Sequence, residues 1–304
     1  MFASREANED ILSEFSNAGT RIKTKCDLVE QKLDLLAKSH YENFPVGSFL
    51  LPRELRRPIR LVYAFARVAD DLADEGDDSE QTRLLKLDQW EGELQKAISG
   101  EKGSAFFAEL AHVISSYAIP PSLFFDLIEA FRMDARGTAY ETFEDVRFYC
   151  RHSANPVGRI LLHLFNSPTA ELCSYSDDIC TALQLTNFWQ DLSIDIERNR
   201  VYIPSEDFVR FGLLPGELRR NAGTGKLTQL LKYQVDRTRQ IFLEGMPLLR
   251  LIDERFALEL RMTVNGGMKI LEKIAAQDYD TLRRRPSLST FDRVHLLVRS
   301  LLTR

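Results

Sequence analysis

Apolar residues recur along most of this chain at spacings of three and four, and β-type alternation is hard to find. That period is typical of amphipathic helices packed on a core. Prolines and glycines fall mostly between the periodic runs, where they would end helices. The pattern predicts helices near residues 25–42, 59–75, 80–99, 104–118, 121–135, 142–153, 156–166, 174–199, 226–246, 252–276 and 289–302.

No repeat, low-complexity segment or long linker separates these predicted helices. Residues 1–24 are polar, so we expect them to form an N-terminal extension. Residues 25–304 are long enough to form one large core. We therefore expect one all-α domain there, with a central apolar cavity.

Two pairs of aspartates interrupt the apolar pattern. Asp70 and Asp74 close one predicted helix, and Asp191 and Asp195 lie near the end of another. Carboxylates four residues apart share a helix face, and like charges at that spacing repel by roughly 0.2–0.5 kcal/mol. Two such pairs facing one cavity would cost far more unless a divalent cation lay between them.

Helical geometry relates the aspartates to the predicted core. At about 100° per residue, Tyr63 and Arg67 share a stripe roughly 60° wide with Asp70 and Asp74. This stripe overlaps the apolar one that begins at Ile59. A similar stripe on the second helix holds Leu183, Asn187, Asp191, Ile194 and Arg198, with Asp195 at its edge. We expect the carboxylates to continue a buried face; the alternative is two acidic helix ends with solvated charges.

The chemistry of these side chains favours a particular ion. Carboxylate and amide oxygens, with no histidine or cysteine close in sequence, select a hard cation. Magnesium is commonly held by one or two carboxylates together with substrate phosphates. Arg67, Arg198 and Arg200 lie near the aspartates, and arginine suits bidentate binding of phosphate. The pattern predicts a site that holds Mg²⁺ together with the phosphate groups of a substrate.

Composition and charge exclude several classes of protein. The net charge of −5 argues against a general nucleic-acid binder, and no apolar run approaches the length of a membrane span. Residues 1–20 contain four acidic residues and do not resemble a targeting peptide. The four cysteines show no disulfide or C-x-x-C spacing, which is typical of reduced thiols. We expect a cytoplasmic protein.

A run of three arginines, Arg283 to Arg285, lies near the C-terminus. It could contact anionic lipid, at about 1 kcal/mol per residue, which would place the protein peripherally at the inner membrane face. A solvated helix end is the simpler interpretation. Cys150 and His152 could form a thiol–imidazole pair or a metal site, but no further residue completes either.

Taken together, these motifs resemble the squalene and phytoene synthase family, the head-to-head prenyl synthases. The likeness covers about residues 30–280. Residues 70–74 and 191–195 resemble the two aspartate-rich motifs of the family. Residues 149–158 resemble its tyrosine–cysteine–valine–glycine segment, and residues 198–204 resemble its arginine–tyrosine–proline segment. The resemblance implies an isoprenoid-synthase fold, magnesium-bound diphosphate and carbocation chemistry in an apolar pocket.

The resemblance also implies roles for individual residues. Asp70, Asp74, Asp191 and Asp195 would hold the magnesium ions. Arg67, Arg198 and Tyr202 would contact the leaving diphosphate, with Gln184 and Asn187 on the preceding turns. Tyr63 and Tyr149 are further candidates, because a phenol on an apolar face needs a polar partner. The aromatic residues that could line the pocket are Phe44, Phe49, Phe131, Phe165 and Phe188.

Two departures from the family pattern narrow the expected substrate. Condensing members carry a basic residue two positions after a histidine near the start, and here His40 is followed by Glu42 and Asn43. A carboxylate has the wrong sign for holding a diphosphate. Asn155 and Pro156 also replace small residues. Both features resemble the branch that converts presqualene diphosphate to hydroxysqualene in bacterial hopanoid biosynthesis.

Several alternatives remain open from the sequence. Glu42, beside Asn43, could hold the water that quenches the cation, or could instead form a salt bridge that shapes the entrance. The chain could belong to a branch that condenses two prenyl diphosphates to presqualene diphosphate, squalene, dehydrosqualene or phytoene. A non-catalytic lipid-binding accessory subunit is a further alternative, although neither metal motif is broken. Association with other enzymes of the hopanoid pathway is also compatible with this interpretation.

Overall fold

The computed structural model describes residues 51–74, 78–219 and 222–302, with side chains to residue 300. All regular elements within these ranges are helical, which confirms the all-α prediction. Contacts group them into two compact units, one ending at Arg136 and the other beginning at Gly137. The predicted helix at 25–42 and the predicted boundary after residue 24 lie outside the described residues.

The first unit contains four described helices: α1 (Arg53–Asp74), α2 (Glu80–Ile98), α3 (Ala105–Ser116) and α4 (Ser122–Ala135). Ser79 and Ser104 cap α2 and α3 by accepting hydrogen bonds from the backbone N–H three residues later. The core of this unit is aromatic, because large rings bury the most apolar surface. Its fully buried rings are Phe65, Trp90, Phe106, Phe107 and Phe124.

The second unit is built around one long helix. Its helices are α5 (Phe143–Ser153), α6 (Asn155–Leu164), α7 (Ala170–Glu197), α8 (Ser205–Arg210), α9 (Gly225–Gly245), α10 (Leu248–Leu251), α11 (Glu254–Ala276) and α12 (Thr290–Leu302), with a 3-10 turn at Pro215–Glu217. Helices α5, α6, α9 and α11 all pack against α7. The second aspartate motif therefore lies on the central helix of this unit.

Two glycines allow neighbouring helices to approach α7 closely. A Cβ at Gly245 on α9 would lie 2.8 Å from the backbone oxygen of Tyr175 and 2.7 Å from a side-chain carbon of Ile179. A Cβ at Gly158 on α6 would lie 2.3 Å from the Ser176 hydroxyl. A larger residue at Gly245 would meet the α7 backbone, and one at Gly158 would meet side chains of α7, so glycine allows both helices to pack closely on α7.

Two helix starts differ from the sequence prediction. Helix α1 begins at Arg53, not near residue 59, and contains Pro58. Pro58 lies close to the N-terminus, where few intrahelical hydrogen bonds are lost, and its ring is buried together with Leu55 and Ile59. Helix α7 begins at Ala170, not 174, because the Thr169 hydroxyl caps it by accepting from the Leu172 N–H.

Candidate active site

The first aspartate motif lies at the C-terminal end of α1. Asp70, Asp71 and Asp74 are half-exposed, whereas Leu72 and Ala73 between them are buried. The expectation that these carboxylates continue the buried face is therefore corrected. They form a partly exposed stripe beside that face, because one position along a helix rotates a side chain by about 100°.

Arg67 is held by two carboxylates of this motif. Its guanidinium lies 3.3 Å from Asp70 Oδ2 and 2.6 Å from Asp71 Oδ1. Asp71 was not among the predicted site residues, although its spacing of four from Arg67 is a recognisable signal. The arginine expected to contact a diphosphate is thus already oriented within the motif, with 22% of its side chain exposed.

Tyr63 lies one helical turn before Arg67 and is also half-buried. Burial, with the nearby charges of Asp71 and Asp70, raises the pKa of its phenol to about 12, although the charge of Arg67 opposes this shift. The hydroxyl is therefore protonated at neutral pH. It can act as a hydrogen-bond donor beside the motif.

The second aspartate motif occupies a matching stripe on α7. Asp191 and Asp195 are half-exposed, as are Gln184 and Asn187 on the preceding turns, while Leu192 is buried. These carboxylates likewise lie beside the buried face and not within it. The predicted polar residues of this helix do share one accessible stripe.

A buried hydrogen bond fixes the rotation of α7. The indole N–H of Trp189 donates to the Thr238 hydroxyl on α9 at 2.8 Å, and both side chains are buried. The Thr238 hydroxyl in turn donates to the Gln234 backbone oxygen at 2.8 Å. Since Trp189 lies two residues before Asp191 and is directed into the core, the bond helps hold the aspartate stripe outward.

Arg285 forms an ion pair with Asp191. One guanidinium nitrogen contacts Oδ1, and a second lies 3.3 Å from Oδ2. The amide of Gln190 donates to the Pro286 backbone oxygen at 2.8 Å and so holds the same segment against α7. The interpretation of Arg283 to Arg285 as a solvated helix end is wrong for Arg285, which lies in the irregular segment between α11 and α12.

Four aromatic side chains pack together next to the second motif. Phe188 and Tyr202 stack with centroids 3.8 Å apart and an interplanar angle of 4°. Tyr149 lies 5.4 Å from Tyr202 and 5.9 Å from Phe188, and Tyr140 completes the cluster. The sequence indicated three of these residues but missed Tyr140. Phe165 instead stacks on Phe256 of α11.

A sharp turn after α7 leads the chain into this cluster. Asn199 adopts a left-handed conformation, with φ of 58°, which asparagine tolerates better than most residues. The backbone N–H groups of Arg198 and Arg200 both donate to the Asp195 backbone oxygen, at 3.0 and 2.8 Å. Arg198 is exposed and Tyr202 is buried. The turn therefore places an arginine and a tyrosine directly after the second carboxylate pair.

The carboxylate oxygens of the two motifs suit magnesium only if a further ligand completes the coordination of the ion. In the part of the chain that the structure describes, no three histidine, cysteine or acidic side chains lie close enough to form a metal site by themselves. Magnesium does not need such a cage, since it keeps several waters and is often bound through one or two carboxylates and the phosphates of a substrate. The donor set fits an ion that arrives with a diphosphate.

The structure does not describe several of the predicted site residues. His40, Glu42, Asn43, Phe44 and Phe49 lie outside the described residues. Phe131 is half-exposed on α4.

Cys150 and His152 do not pair. The thiol is buried, and burial raises its pKa to about 12. The imidazole Nδ1 lies 2.9 Å from the Phe148 backbone oxygen. Asn155 is buried 3.0 Å from the Thr181 hydroxyl, which gives this departure from the family pattern a packing role.

Comparison with known proteins identifies the family. The squalene/phytoene synthase family model matches residues 37–292, so the chain belongs to that family, and the resemblance seen in the sequence is confirmed. It is 32% identical over 280 residues to hydroxysqualene synthase of Zymomonas mobilis, covering 90% of this chain and 89% of the relative. It is 33% identical over 239 residues to hydroxysqualene synthase of Rhodopseudomonas palustris, covering 78% and 80%.

Solved structures confirm the isoprenoid-synthase fold. Squalene synthase HpnC from Alicyclobacillus acidocaldarius matches with a TM-score of 0.77 and 38% identity, over 84% of this chain and 97% of that one. A dehydrosqualene synthase in complex with a ligand matches with a TM-score of 0.75 over 92% and 95%, at 24% identity. Members of this family are enzymes that act on prenyl diphosphates.

Proposed function

We propose that this protein is a hydroxysqualene synthase. It would ionise presqualene diphosphate, rearrange the cyclopropylcarbinyl cation and add water, so that presqualene diphosphate and water give hydroxysqualene, pyrophosphate and a proton. The supporting observation is that both aspartate pairs are intact and that each has an arginine in ionic contact. The chain that carries them is 32% and 33% identical to two hydroxysqualene synthases.

In this proposal Asp70, Asp74, Asp191 and Asp195 hold Mg²⁺, which supplies Lewis-acid stabilisation of the departing diphosphate. Two arginines of the chain would also stabilise the negative charge of the departing diphosphate. Arg67 is held by carboxylates of α1 and Arg285 by a carboxylate of α7, so each is oriented before substrate arrives. Preorganised donors avoid a reorganisation cost at the moment of reaction.

The aromatic cluster suits the cationic stage of the reaction. Tyr149, Phe188 and Tyr202 are nearly fully buried, so the cluster forms a region beside the second motif from which water is excluded. Aromatic faces attract cations by about 0.5–2 kcal/mol each. In this proposal these rings, with protonated Tyr63, protect the carbocation until a held water adds. Glu42 is the proposed holder of that water.

A condensing activity is the second candidate. The solved structure at 38% identity is described as a squalene synthase, and phytoene synthases such as that of Daucus carota match at 26% identity over 90% of this chain. Such an enzyme would use two prenyl diphosphates. The acidic residue at Glu42 favours the single-substrate reaction, because it would repel a second diphosphate.

One experiment separates these functions. The purified protein is incubated with Mg²⁺ and, separately, with presqualene diphosphate or farnesyl diphosphate, and extracted products are identified by mass spectrometry. We expect hydroxysqualene from presqualene diphosphate and little product from farnesyl diphosphate. Efficient conversion of farnesyl diphosphate would assign the protein to a condensing branch. Lipid binding without turnover of either substrate would favour an accessory subunit.

A further inference from the structure

The C-terminal helix α12 carries its largest exposed apolar side chains on its outward side. Phe291, Val294 and Val298 are 79%, 57% and 49% exposed. At about 100° per residue they fall within a stripe roughly 60° wide. A helix packed on a protein core normally buries such a stripe and exposes polar residues. On α12 this stripe faces outward, and Asp292 and Ser300 are buried beside Leu296 on the inward side.

Polar contacts at both ends hold α12 in this orientation. Near its start, Asp292 lies 2.8 Å from the Lys273 ammonium of α11, and Lys273 and Ser289 hold the pKa of that carboxyl well below its usual range. Near its end, the Asn265 amide donates to the Ser300 hydroxyl at 2.9 Å. Asp292 and Ser300 are both buried. The helix therefore cannot roll its apolar stripe inward without breaking these contacts.

The charge of this segment is opposite to that of the whole protein. The chain has a net charge of −5, yet residues 283–304 contain six arginines and a single carboxylate, Asp292. That carboxylate is buried and paired, whereas Arg284, Arg293 and Arg299 are exposed. Between residues 283 and 300 the described surface therefore combines apolar side chains with arginines and presents no exposed acidic residue.

We propose that this outward surface of α12 binds the face of an anionic lipid bilayer. Phe291, Val294 and Val298 would enter the headgroup region, and the exposed arginines would contact lipid phosphates. An apolar stripe with basic residues and low overall hydrophobicity is the pattern of a helix that lies in the membrane interface. With 13 residues, α12 is about 20 Å long and does not reach across a bilayer.

Charge also argues against the simplest other occupant, a second copy of this chain. In a two-fold dimer the same patch contacts itself, so the interface would gather the arginines of both copies with no exposed carboxylate from the patch to offset them. Like charges brought together in an interface are unfavourable. A surface rich in lipid phosphate supplies the complementary charge.

The full-length protein can be tested by co-sedimentation with vesicles of phosphatidylcholine alone and of phosphatidylcholine mixed equally with phosphatidylglycerol. We expect binding to the mixed vesicles that weakens as salt is added. The variant Phe291→Ser/Val294→Ser/Val298→Ser should reduce the partition coefficient more than about tenfold. The variant Arg284→Gln/Arg293→Gln should reduce it about fivefold per arginine on the mixed vesicles.

A matched control removes three exposed apolar side chains elsewhere, at Leu85, Val209 and Leu214. The variant Leu85→Ser/Val209→Ser/Leu214→Ser should bind vesicles as the unmodified protein does. Circular dichroism confirms that all variants are folded. The assay needs no substrate, so its outcome is independent of the proposed reaction.

Three results would overturn the proposal. The first is equal binding to both vesicle types, and the second is undiminished binding by the α12 apolar variant. The third is a concentration-dependent dimer, seen by analytical ultracentrifugation, that the α12 variant abolishes while vesicle binding is unchanged. That last result would assign the surface to contact between copies.

Discussion

Arg285 reaches Asp191 across 94 positions of sequence and forms an ion pair with the first carboxylate of the second aspartate motif. The pair is only partly exposed, at 33% for the arginine side chain and 17% for the aspartate. A metal ion at Asp191 would have to share or replace this guanidinium. If the two share the carboxylate, Arg285 stays oriented beside the diphosphate that accompanies the ion.

The first prediction tests that relationship. Changing Arg285→Gln should lower the rate of pyrophosphate release at saturating Mg²⁺ by about tenfold or more, because one preorganised cation near the leaving group is lost. The neighbouring Arg284 is exposed and provides the control. Arg284→Gln should release pyrophosphate at the unmodified rate. Equal rates in all three proteins would show that Arg285 only holds the segment in place.

The second prediction concerns the carboxylates. Asp70→Asn and Asp191→Asn keep the side-chain shape but remove ligand charge, so turnover should fall by orders of magnitude in each variant while the circular dichroism spectrum is retained. Asp236→Asn on α9 is the control, because Asp236 is an exposed aspartate paired with Lys232. If both variants keep full activity, the aspartate motifs do not bind the metal.

The third prediction concerns the close approach of α9 to α7. Gly245→Ala would place a methyl group against the Tyr175 backbone oxygen and Ile179, so it should lower the free energy of unfolding by about 1–3 kcal/mol. Differential scanning calorimetry should show the melting temperature falling by roughly 2–4 °C per kcal/mol.

The control for that experiment is Gly92, which lies inside α2 with no heavy atom within 4 Å of an added Cβ. Gly92→Ala should leave the free energy of unfolding unchanged or raise it by up to about 1 kcal/mol, because alanine favours a helix. A Gly245→Ala protein as stable as Gly92→Ala would show that the two helices can separate without cost.

The sequence predicted the helical class and most helix positions because periodicity and capping are local signals. Helix α5 is an example, since Thr142 and Asp145 form a capping box that marks its start within one residue of the prediction. Pro58 misled the prediction of α1 because sequence alone does not show that its ring is buried.

The candidate site was predictable where its residues are neighbours in sequence. The spacing of Asp70, Asp74, Asp191 and Asp195 was enough to select two helix stripes, and the structure places each pair on a partly exposed stripe. Arg285 was not predictable, because an ion pair over 94 positions depends on how α11 and the following segment fold back onto α7. The predicted burial of the four aspartates was also wrong, because both aspartate stripes lie beside the core and not within it.

The most direct test of the proposed reaction traces the oxygen of the product. Presqualene diphosphate and Mg²⁺ are supplied in water labelled with heavy oxygen, and the extracted product is examined by mass spectrometry. We predict an alcohol, hydroxysqualene, that carries the heavy oxygen, together with one released pyrophosphate per product molecule. A hydrocarbon product, or an alcohol without the label, would contradict the proposal that water quenches the cation.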